Sequence, residues 1–342
     1  DDLDLILQAY HSLFDLRPLL FFDEIQNIEG WEHFARRLAN QKYNIYITGS
    51  NAKMLSREIA TTLGGRFWNK DIYPYSFAEY LNARDIILSK NWIYGKQAAE
   101  VSKAFNDYFL YGGFPELTDV IAKRVWLNDI YSKIFFSDLI VRNKVRNEEA
   151  LGLLVRRLAE NVKQPVSYTR LANLISSIGI KISKATVIEF IRYLKESCLI
   201  FPIENYAAKF AERNSNMKHY FIDNGLLSIF LLDGNTSLLE NIVAIHLYKR
   251  YGAQLYFYNQ NIEVDFVIPE AKTAIQVSYS LMDETTCRRE VEGLIKLNRV
   301  FPMDNMCIIT RDEERIITHE SGVSIHVIPV WKWLLEEEPL RT

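Results

Sequence analysis

A chain of 342 residues is longer than one hydrophobic core usually supports, so the sequence predicts two or three domains. Apolar residues make up 49% of it and charged residues 24%, which excludes a disordered or low-complexity protein. The longest apolar runs, such as residues 19–22, are far shorter than the roughly 20 residues that cross a bilayer, so no membrane span is expected. Three widely spaced cysteines fit neither a disulfide framework nor a metal knuckle, and they favour the cytoplasm.

Positive charge is concentrated in one part of a chain whose net charge is -3. Residues 163–218 contain nine Lys or Arg against four Asp or Glu. This segment is therefore the basic part of an otherwise acidic chain.

The first elements predict an α/β unit. Apolar residues at helical spacing indicate a helix over residues 3–16, and Pro18 ends it because proline disfavours helical backbone in the residue before it. The apolar run at residues 19–22 predicts a buried strand that stops at Asp23 and Glu24. A helix over residues 31–40 and a strand over residues 43–47 complete a strand–helix–strand unit.

The rest of the chain alternates between helical and mixed segments. Helices are predicted after Pro74, interrupted by a tight turn at Gly112–Pro115, and we interpret this part as a helical lid or linker. Three short helices, over residues 148–161, 168–176 and 183–197, followed by a hairpin indicate a winged helix. A strand, a helix, three strands, a helix and a strand then predict a second α/β unit. The expected domains are the first α/β unit at 1–80, the lid at 81–146, the winged helix at 147–218 and the last unit at 219–342.

Two acidic residues at the end of the first strand form the pattern called Walker B. In such a site Asp23 would hold Mg²⁺ and Glu24 would polarise the attacking water, although two exposed acids at a strand end are the plain alternative. Thr48, Ser50 and Asn51 follow the next strand and could face the γ-phosphate.

Several motifs together resemble the prokaryotic AAA-related P-loop ATPases whose C-terminal half is a domain of unknown function with a restriction-endonuclease-like fold. The motifs are Leu20–Asn27, Tyr46–Asn51, Gly65-Arg66, Tyr73–Tyr80 and Gly112–Glu116. The resemblance implies ATP and Mg²⁺ as cofactors, Asp23 and Glu24 as Walker B, Ser50 as sensor with Asn51 as second choice, and Arg66 as an arginine finger or sensor arginine.

The glycine-rich Walker A loop of that family is missing. No G-x-x-x-x-G-K-[ST] occurs in these residues, so the sequence holds no backbone nest or lysine for the phosphates. The chain also opens without an initiating Met or a secretory signal, and we expect it to begin inside a longer reading frame. On its own it is predicted to be inactive.

The C-terminal segment resembles a nuclease with a degenerate metal site. In nucleases of this fold an Asp on one strand and a Glu-x-Lys on the next bind a divalent metal, often with a Glu from the preceding helix. Glu240 and Asp265 fit this pattern, but Gln276 replaces the second carboxylate and Ser278 replaces the lysine. Glu263 and Asp265 share one face of their strand. They form either a relic metal site or a solvated strand edge. We expect no DNA cleavage.

The third helix of the winged unit argues against sequence-specific DNA reading. Its outward face, predicted to hold Ala185, Glu189, Arg192, Tyr193 and Glu196, carries two carboxylates that would repel phosphates. The flanking cations could still contact a DNA backbone and are Lys181, Lys184 and Lys195. Weak, non-specific DNA binding is therefore an expectation, with domain packing, a protein partner or self-association as the alternative.

Three functions stay open on these grounds. The first is an ATP-hydrolysing AAA-related protein with a winged helix and an inactive nuclease-like domain. The second is a non-catalytic module that binds nucleic acid or a protein partner, and the third is an active DNA nuclease. No membrane partner is expected.

Overall fold

A computed structural model describes residues 3–25, 28–49, 62–65, 67–213 and 215–336, and it separates into two units. The first unit contains residues 1–72 and 195–198, and the second contains residues 73–194 and 199–342. The whole is a mixed α/β protein. In the part of the chain that the structure describes, no helix is long and apolar enough to cross a membrane.

The first unit contains the predicted strand–helix–strand arrangement. Its elements are α1 (Leu3–Leu13), β1 (Leu20–Phe22), α2 (Trp31–Asn40) and β2 (Ile45–Ile47). The two strands are parallel, with Leu20 opposite Ile45 and Phe22 opposite Ile47. Phe34 and Leu38 of α2 pack on Leu20. Because parallel strands end at the same edge, this packing fixes where the residues after β1 and β2 meet.

The second unit begins with the predicted helical segment. Its elements are α3 (Phe77–Ala83), α4 (Lys96–Tyr111) and α5 (Lys123–Lys133), which continues as a π-helix over Ile134–Val141, with single 3-10 turns at Trp92–Tyr94 and Pro115–Thr118. Ser76 and Glu79 form a capping box at the start of α3, which satisfies two of its free backbone N–H groups. The interruption expected at Gly112–Pro115 ends α4 and leads into the second 3-10 turn.

Two close contacts, one of them with a buried carboxylate, explain why that turn contains two glycines. Asp223 is 3% exposed and accepts hydrogen bonds from the backbone N–H groups of Gly113 (2.7 Å) and Gly225 (2.8 Å). Gly112 has a φ of 79°, and a Cβ there would lie 2.0 Å from the Asp223 carboxylate. A Cβ on Gly113 would lie 2.3 Å from the carbonyl oxygen of Tyr75. Only glycines allow the turn to lie this close to the Asp223 side chain and to the backbone of Tyr75.

The next elements follow the predicted helix, helix, helix and hairpin order. They are α6 (Glu148–Glu160), β3 (Val166–Ser167), α7 (Tyr168–Ser176), α8 (Lys184–Glu196), β4 (Ile200–Asn205), the single turn α9 (Phe210–Arg213) and β5 (Asn216–Phe221). Strand β5 pairs antiparallel with both β4 and β3. Sequence reasoning missed β3, a two-residue strand too short to show periodicity.

The C-terminal elements match the predicted order and extend beyond it. They are α10 (Asn224–Ser228), α11 (Asn235–Tyr251), a 3-10 turn (Gly252–Gln254), β6 (Tyr256–Asn259), β7 (Glu263–Ile268), β8 (Thr273–Val277), α12 (Glu284–Val300), β9 (Asn305–Thr310), β10 (Arg315–Thr318), β11 (Ser324–Pro329) and α13 (Val330–Trp333). The antiparallel hairpin of β10 and β11 was not predicted.

One sheet of nine strands runs through the second unit in the order β10-β11-β9-β8-β7-β6-β4-β5-β3. Strands β4 and β6 pair in parallel at Glu204 with Tyr256 and at Asn205 with Phe257, which joins the β3–β5 part to the C-terminal strands. The domain boundary expected at residue 219 falls inside β5. The sheet therefore continues across that position and brings β5 near the strands that carry the C-terminal carboxylates.

We expect Gly113→Ala to lower the free energy of unfolding by about 1–3 kcal/mol, because its new methyl group would overlap the carbonyl of Tyr75. Gly152→Ala is the matched control: that glycine lies in α6, a Cβ there would contact the Phe135 ring at an ordinary 3.6 Å, and alanine favours the helix. Urea unfolding at constant pH measures both variants. Equal stability of the two would contradict this packing.

Candidate functional site

The residues after β1 and β2 meet as the parallel register requires. The backbone N–H of Thr48 donates to the carbonyl oxygen of Phe22 at 2.9 Å, which extends the ladder by one bond. The Thr48 hydroxyl donates to the carboxylate of Asp23 and accepts from the backbone N–H of Glu24 at 3.3 Å. Thr48 thus orients both positions of the acidic pair.

The acidic pair has the exposure that a metal-binding carboxylate needs. Asp23 is exposed and Glu24 is half-buried. Glu24 has a φ of 49°, in the left-handed region that a non-glycine residue rarely adopts, so the chain turns sharply directly after Asp23. The predicted partners Ser50, Asn51 and Arg66 lie outside the described residues, and their roles stay predictions.

The donor set at this edge fits half of a nucleotide site. A carboxylate and a hydroxyl oxygen are ligands that Mg²⁺ accepts directly or through water. The phosphate-binding half, a glycine-rich loop with its lysine, is absent from the 342-residue sequence. The arrangement can therefore hold a hydrated Mg²⁺ ion but cannot by itself hold a triphosphate.

A second cluster of charged side chains lies in the C-terminal unit. Glu240 comes from α11, and Glu263 and Asp265 come from alternate positions of β7, which puts both on one face of the strand. All three carboxylates surround the amine of Lys218 on β5, at 3.2 Å from Glu240, 3.1 Å from Asp265 and 3.5 Å from Glu263. The expected neighbourhood of Glu240, Glu263 and Asp265 is present, with a cation at its centre.

This lysine corrects one expectation. Sequence reasoning held that, with serine at position 278, no cation remained beside the carboxylates. Lys218 provides that cation from β5, and its side chain is 0% exposed. The hydroxyl of Tyr220, two residues further along the same strand, donates to Glu240 at 2.7 Å. Neither residue was singled out, although a lysine within a strand as apolar as residues 217–221 was the available signal.

Burial and mutual attraction set the protonation of this cluster. Burial acts to lower the pKa of Lys218, but the attraction of Glu240, Asp265 and Glu263 is stronger and raises that pKa above its usual value. Burial raises the pKa of Glu240, while the Lys218 amine counteracts part of the increase. The lysine therefore stays protonated, and its charge is held by the carboxylates around it.

Gln276 is a structural residue in this arrangement. Its side-chain oxygen accepts from the backbone N–H of Asp265 at 2.9 Å, and its side-chain nitrogen donates to the carbonyl oxygen of Glu263 at 3.0 Å. A Cβ on Gly293 of α12 would lie 3.0 Å from that nitrogen, so the helix passes close above it. Both the oxygen and the nitrogen of the Gln276 side chain are therefore hydrogen-bonded to the backbone of β7.

Ser278 lies directly after the strand that carries Gln276. Strand β8 ends at Val277, and the Ser278 hydroxyl donates to the carbonyl oxygen of Ser280 at 2.9 Å. The backbone N–H of Val277 donates to Asp265 at 2.9 Å. Among the described residues, no group of three or more His, Cys, Asp and Glu side chains is arranged to hold a metal ion. The residues present therefore do not fit the divalent metal of a nuclease.

A cleft of about 1020 Å³ opens over this cluster. Its lining includes Glu240, Glu263 and Asp265 together with basic side chains of the loop before β3 and of α12, namely Lys163, Arg288, Arg289 and Lys296. The cleft is polar and carries both signs of charge.

The helix α8 partly follows the expectation. The candidate DNA contacts Lys181, Lys184 and Lys195 are all exposed, so each is free of the core. Tyr193, predicted to face outward, is buried at 8% exposure because its ring packs beside Phe190. Its hydroxyl donates to Glu189 at 2.6 Å. The carboxylate of Glu189 remains on the outer surface of the helix, as predicted.

We expect Gln276→Glu to lower the free energy of unfolding at pH 7 by about 1–3 kcal/mol, because a carboxylate oxygen would face the Glu263 carbonyl where an amide donor now lies. The new acid is disfavoured when charged, so its folded pKa lies above the unfolded value near 4.3 and the loss diminishes as the pH is lowered towards 4.

Gln260→Glu is the control for this change. Gln260 is exposed, and its side-chain oxygen only accepts from the Tyr258 hydroxyl at 3.3 Å, a contact that a carboxylate retains. Thermal unfolding at pH 4.5 and pH 7 compares the two variants. A pH-independent loss in Gln276→Glu would show that the Glu263 contact is not the cause.

Comparison with known proteins identifies the N-terminal unit. Residues 1–81 match a family described as an AAA domain, and residues 102–237 match a domain of unknown function (DUF8612). The uncharacterized protein MJ1544 of Methanocaldococcus jannaschii is 33% identical and aligns with 98% of this chain and 78% of its own length. An uncharacterized protein of Haemophilus influenzae is 32% identical, with 92% and 76% aligned. The chain therefore belongs, with these two proteins, to an AAA-related family.

Proposed function

We propose that residues 1–81 supply the acidic half of an ATP-hydrolysing AAA-type site with ATP and Mg²⁺ as its ligands. The observation that carries this proposal is the contact of Thr48 with Asp23 at the adjoining ends of β1 and β2. An AAA-domain match over the same residues supports it.

Each residue has a distinct role in this proposal. Asp23 would hold the Mg²⁺ ion, and Thr48 fixes the side chain of Asp23 for that purpose. Glu24 would accept the proton of the attacking water. Arg66 would stabilise charge on the transferred phosphoryl group, and Ser50 or Asn51 would contact the γ-phosphate.

The phosphate-binding loop of this site comes, in the proposal, from residues outside the 342-residue sequence, which contains no G-x-x-x-x-G-K-[ST]. A cytoplasmic location, suggested by the spacing of the cysteines, belongs to the same proposal.

The 342-residue chain alone should release no phosphate from ATP in the presence of Mg²⁺, because Asp23 and Glu24 have no phosphate cradle to act with. A phosphate-release assay on the purified chain measures this, with Glu24→Gln as the control for contaminating ATPases. If the purified chain hydrolysed ATP and Glu24→Gln abolished that hydrolysis, the proposal that the phosphate-binding loop lies outside the 342 residues would be wrong.

In a form of the protein that includes the phosphate-binding loop, Glu24→Gln should slow turnover by about 10²–10⁴-fold while ATP still binds, because an amide can position water but cannot accept its proton. Arg66→Ala should lower kcat by about 10³–10⁵-fold with little change in nucleotide affinity. Titration with a fluorescent nucleotide and steady-state kinetics separate binding from turnover. Wild-type turnover in Glu24→Gln would refute the Walker B role.

We further propose that the C-terminal unit is a nuclease-like domain that does not cut DNA. The order α11, β6, β7, β8, α12 and β9 supports the restriction-endonuclease-like assignment, since it gives a helix, three strands, a helix and a strand around one sheet. The observation behind the expected lack of cleavage is the pair of hydrogen bonds made by Gln276. Both ends of its amide are bonded to β7, so neither is available to a metal.

Supercoiled plasmid should stay intact when incubated with the chain in Mg²⁺ or Mn²⁺, since Gln276 stands where the nuclease pattern has its second carboxylate and Lys218 already occupies the carboxylate cluster. Gel electrophoresis over a time course measures nicking, with Asp265→Asn as the paired control. Nicking by the wild type that disappears in Asp265→Asn would establish an active nuclease instead.

The segment from α6 to β5 is proposed as a winged helix. The pairing of β3 with β5 beside three helices supports it. Its surface role, weak DNA binding through Lys181, Lys184 and Lys195 or contact with a protein partner, depends on exposed cations and an outward carboxylate on Glu189.

A further inference from the structure

We infer that the Lys218 ammonium takes the place of the divalent cation in the carboxylate cluster of Glu240, Glu263 and Asp265. The inference deepens the proposed non-cleaving nuclease-like domain and rests on it. It assigns the cluster to a cation that belongs to the protein, and it predicts that a divalent ion binds there only when the amine is removed.

The distances around Lys218 are those of an ammonium group. Its nitrogen lies 3.1–3.5 Å from one oxygen of each of three carboxylates that belong to α11 and β7. Mg²⁺ and Ca²⁺ need oxygen ligands at about 2.0–2.6 Å, so the same oxygens would have to move inward to hold a metal. The cluster is therefore sized for an N–H donor.

Three oxygens of the cluster already accept hydrogen bonds from the protein. Oδ2 of Asp265 accepts from the backbone N–H of Val277, and Oδ1 accepts from Lys218. Oε1 of Glu240 accepts from both Lys218 and Tyr220. A metal ion at the centre would displace the donors of these hydrogen bonds. The Lys218 ammonium would also repel it at short range.

Lys218 is held within the core of the second unit. Its side chain is 0% exposed, its amine lies 5.6 Å from the centre of the Phe257 ring, and β5 is held between β4 and β3. A surface lysine could turn into solvent, but this one would have to leave the core with its charge. The cation is therefore a permanent part of the fold.

Two consequences follow from a built-in cation. The amine carries a single charge and has no open coordination position, so it cannot bind and ionise a water molecule as a metal does. It also bonds β5 to α11 and β7, which a metal bound by carboxylates of α11 and β7 alone would not do. Metal chemistry is lost, and a link between the hairpin of β4 and β5 and the C-terminal strands is gained.

The test replaces the amine with an uncharged side chain of similar length. In wild-type protein, any response of the thermal midpoint to millimolar Mn²⁺ should be the same in Asp265→Asn, and Mn²⁺ electron paramagnetic resonance should detect no binding that depends on Asp265. In Lys218→Met the midpoint should fall by on the order of 10 °C, because the carboxylates lose their counter-charge. Mn²⁺ should then bind and recover much of that fall.

Lys249→Met is the matched control, since Lys249 is also a largely buried lysine of the second unit, but its amine donates to the carbonyl oxygen of Pro74. It should lose stability without gaining any response to Mn²⁺. The double variant Lys218→Met with Asp265→Asn should lose the response to Mn²⁺ as well. If Lys218→Met folds only with Mn²⁺ present, recovery of its circular dichroism on adding the ion supports the inference equally.

Two results would overturn the inference. One is Mn²⁺ binding to the wild type that Asp265→Asn removes, and the other is Lys218→Met protein that gains neither binding nor structure from Mn²⁺. Failure of the proposed function looks different, because it would appear as metal-dependent plasmid cleavage by the wild type.

Discussion

The buried amine of Lys218 is the constraint on which the arrangement of the second unit depends. An ammonium group removed from water is tolerated only where carboxylates surround it, and here they come from α11 and β7 while the lysine comes from β5. The requirement to neutralise one charge thus fixes two strands and a helix relative to one another. In the proposed nuclease-like domain, the amine also occupies the place of the divalent metal.

A second buried charge explains why the motifs of the helical segment are so specific. Burial raises the pKa of Asp223 to about 6, and the N–H groups of Gly113 and Gly225 favour its ionised form. Burial likewise lowers the pKa of Lys249 to about 8 while its amine bonds to Pro74. Gly113 and Pro74, the partners of these two buried charges, belong to the segments Gly112–Glu116 and Tyr73–Tyr80 that first indicated the family. Their spacing in the sequence therefore reflects packing around a carboxylate, and their chemistry is structural.

Local patterns made most of the fold predictable. The apolar runs around Leu20 and Ile45 gave two parallel strands, and helical spacing predicted α8 to within a residue at each end. The Lys218 contacts were beyond sequence reasoning because they join residues 22 and 47 positions apart, and no local periodicity reports such a pairing. Gln276 was recognised as a departure from the nuclease pattern, but its hydrogen bonds to β7 could be known only from the register of β7 and β8.

Asp23 and Asp265 show how the surroundings of a carboxylate decide its chemistry. Each residue lies on or directly after a strand, in a sequence pattern that suggested a metal site. Asp23 is exposed and is oriented by one hydroxyl, so solvent and a hydrated ion can reach it. Asp265 is 13% exposed and already bonded to an amine and a backbone N–H, so an arriving metal would have to break existing bonds before it could form new ones. Under the proposed function, metal-dependent chemistry in this chain is therefore expected at Asp23 and Glu24 of the first unit, while Asp265 in the second unit stabilises the fold.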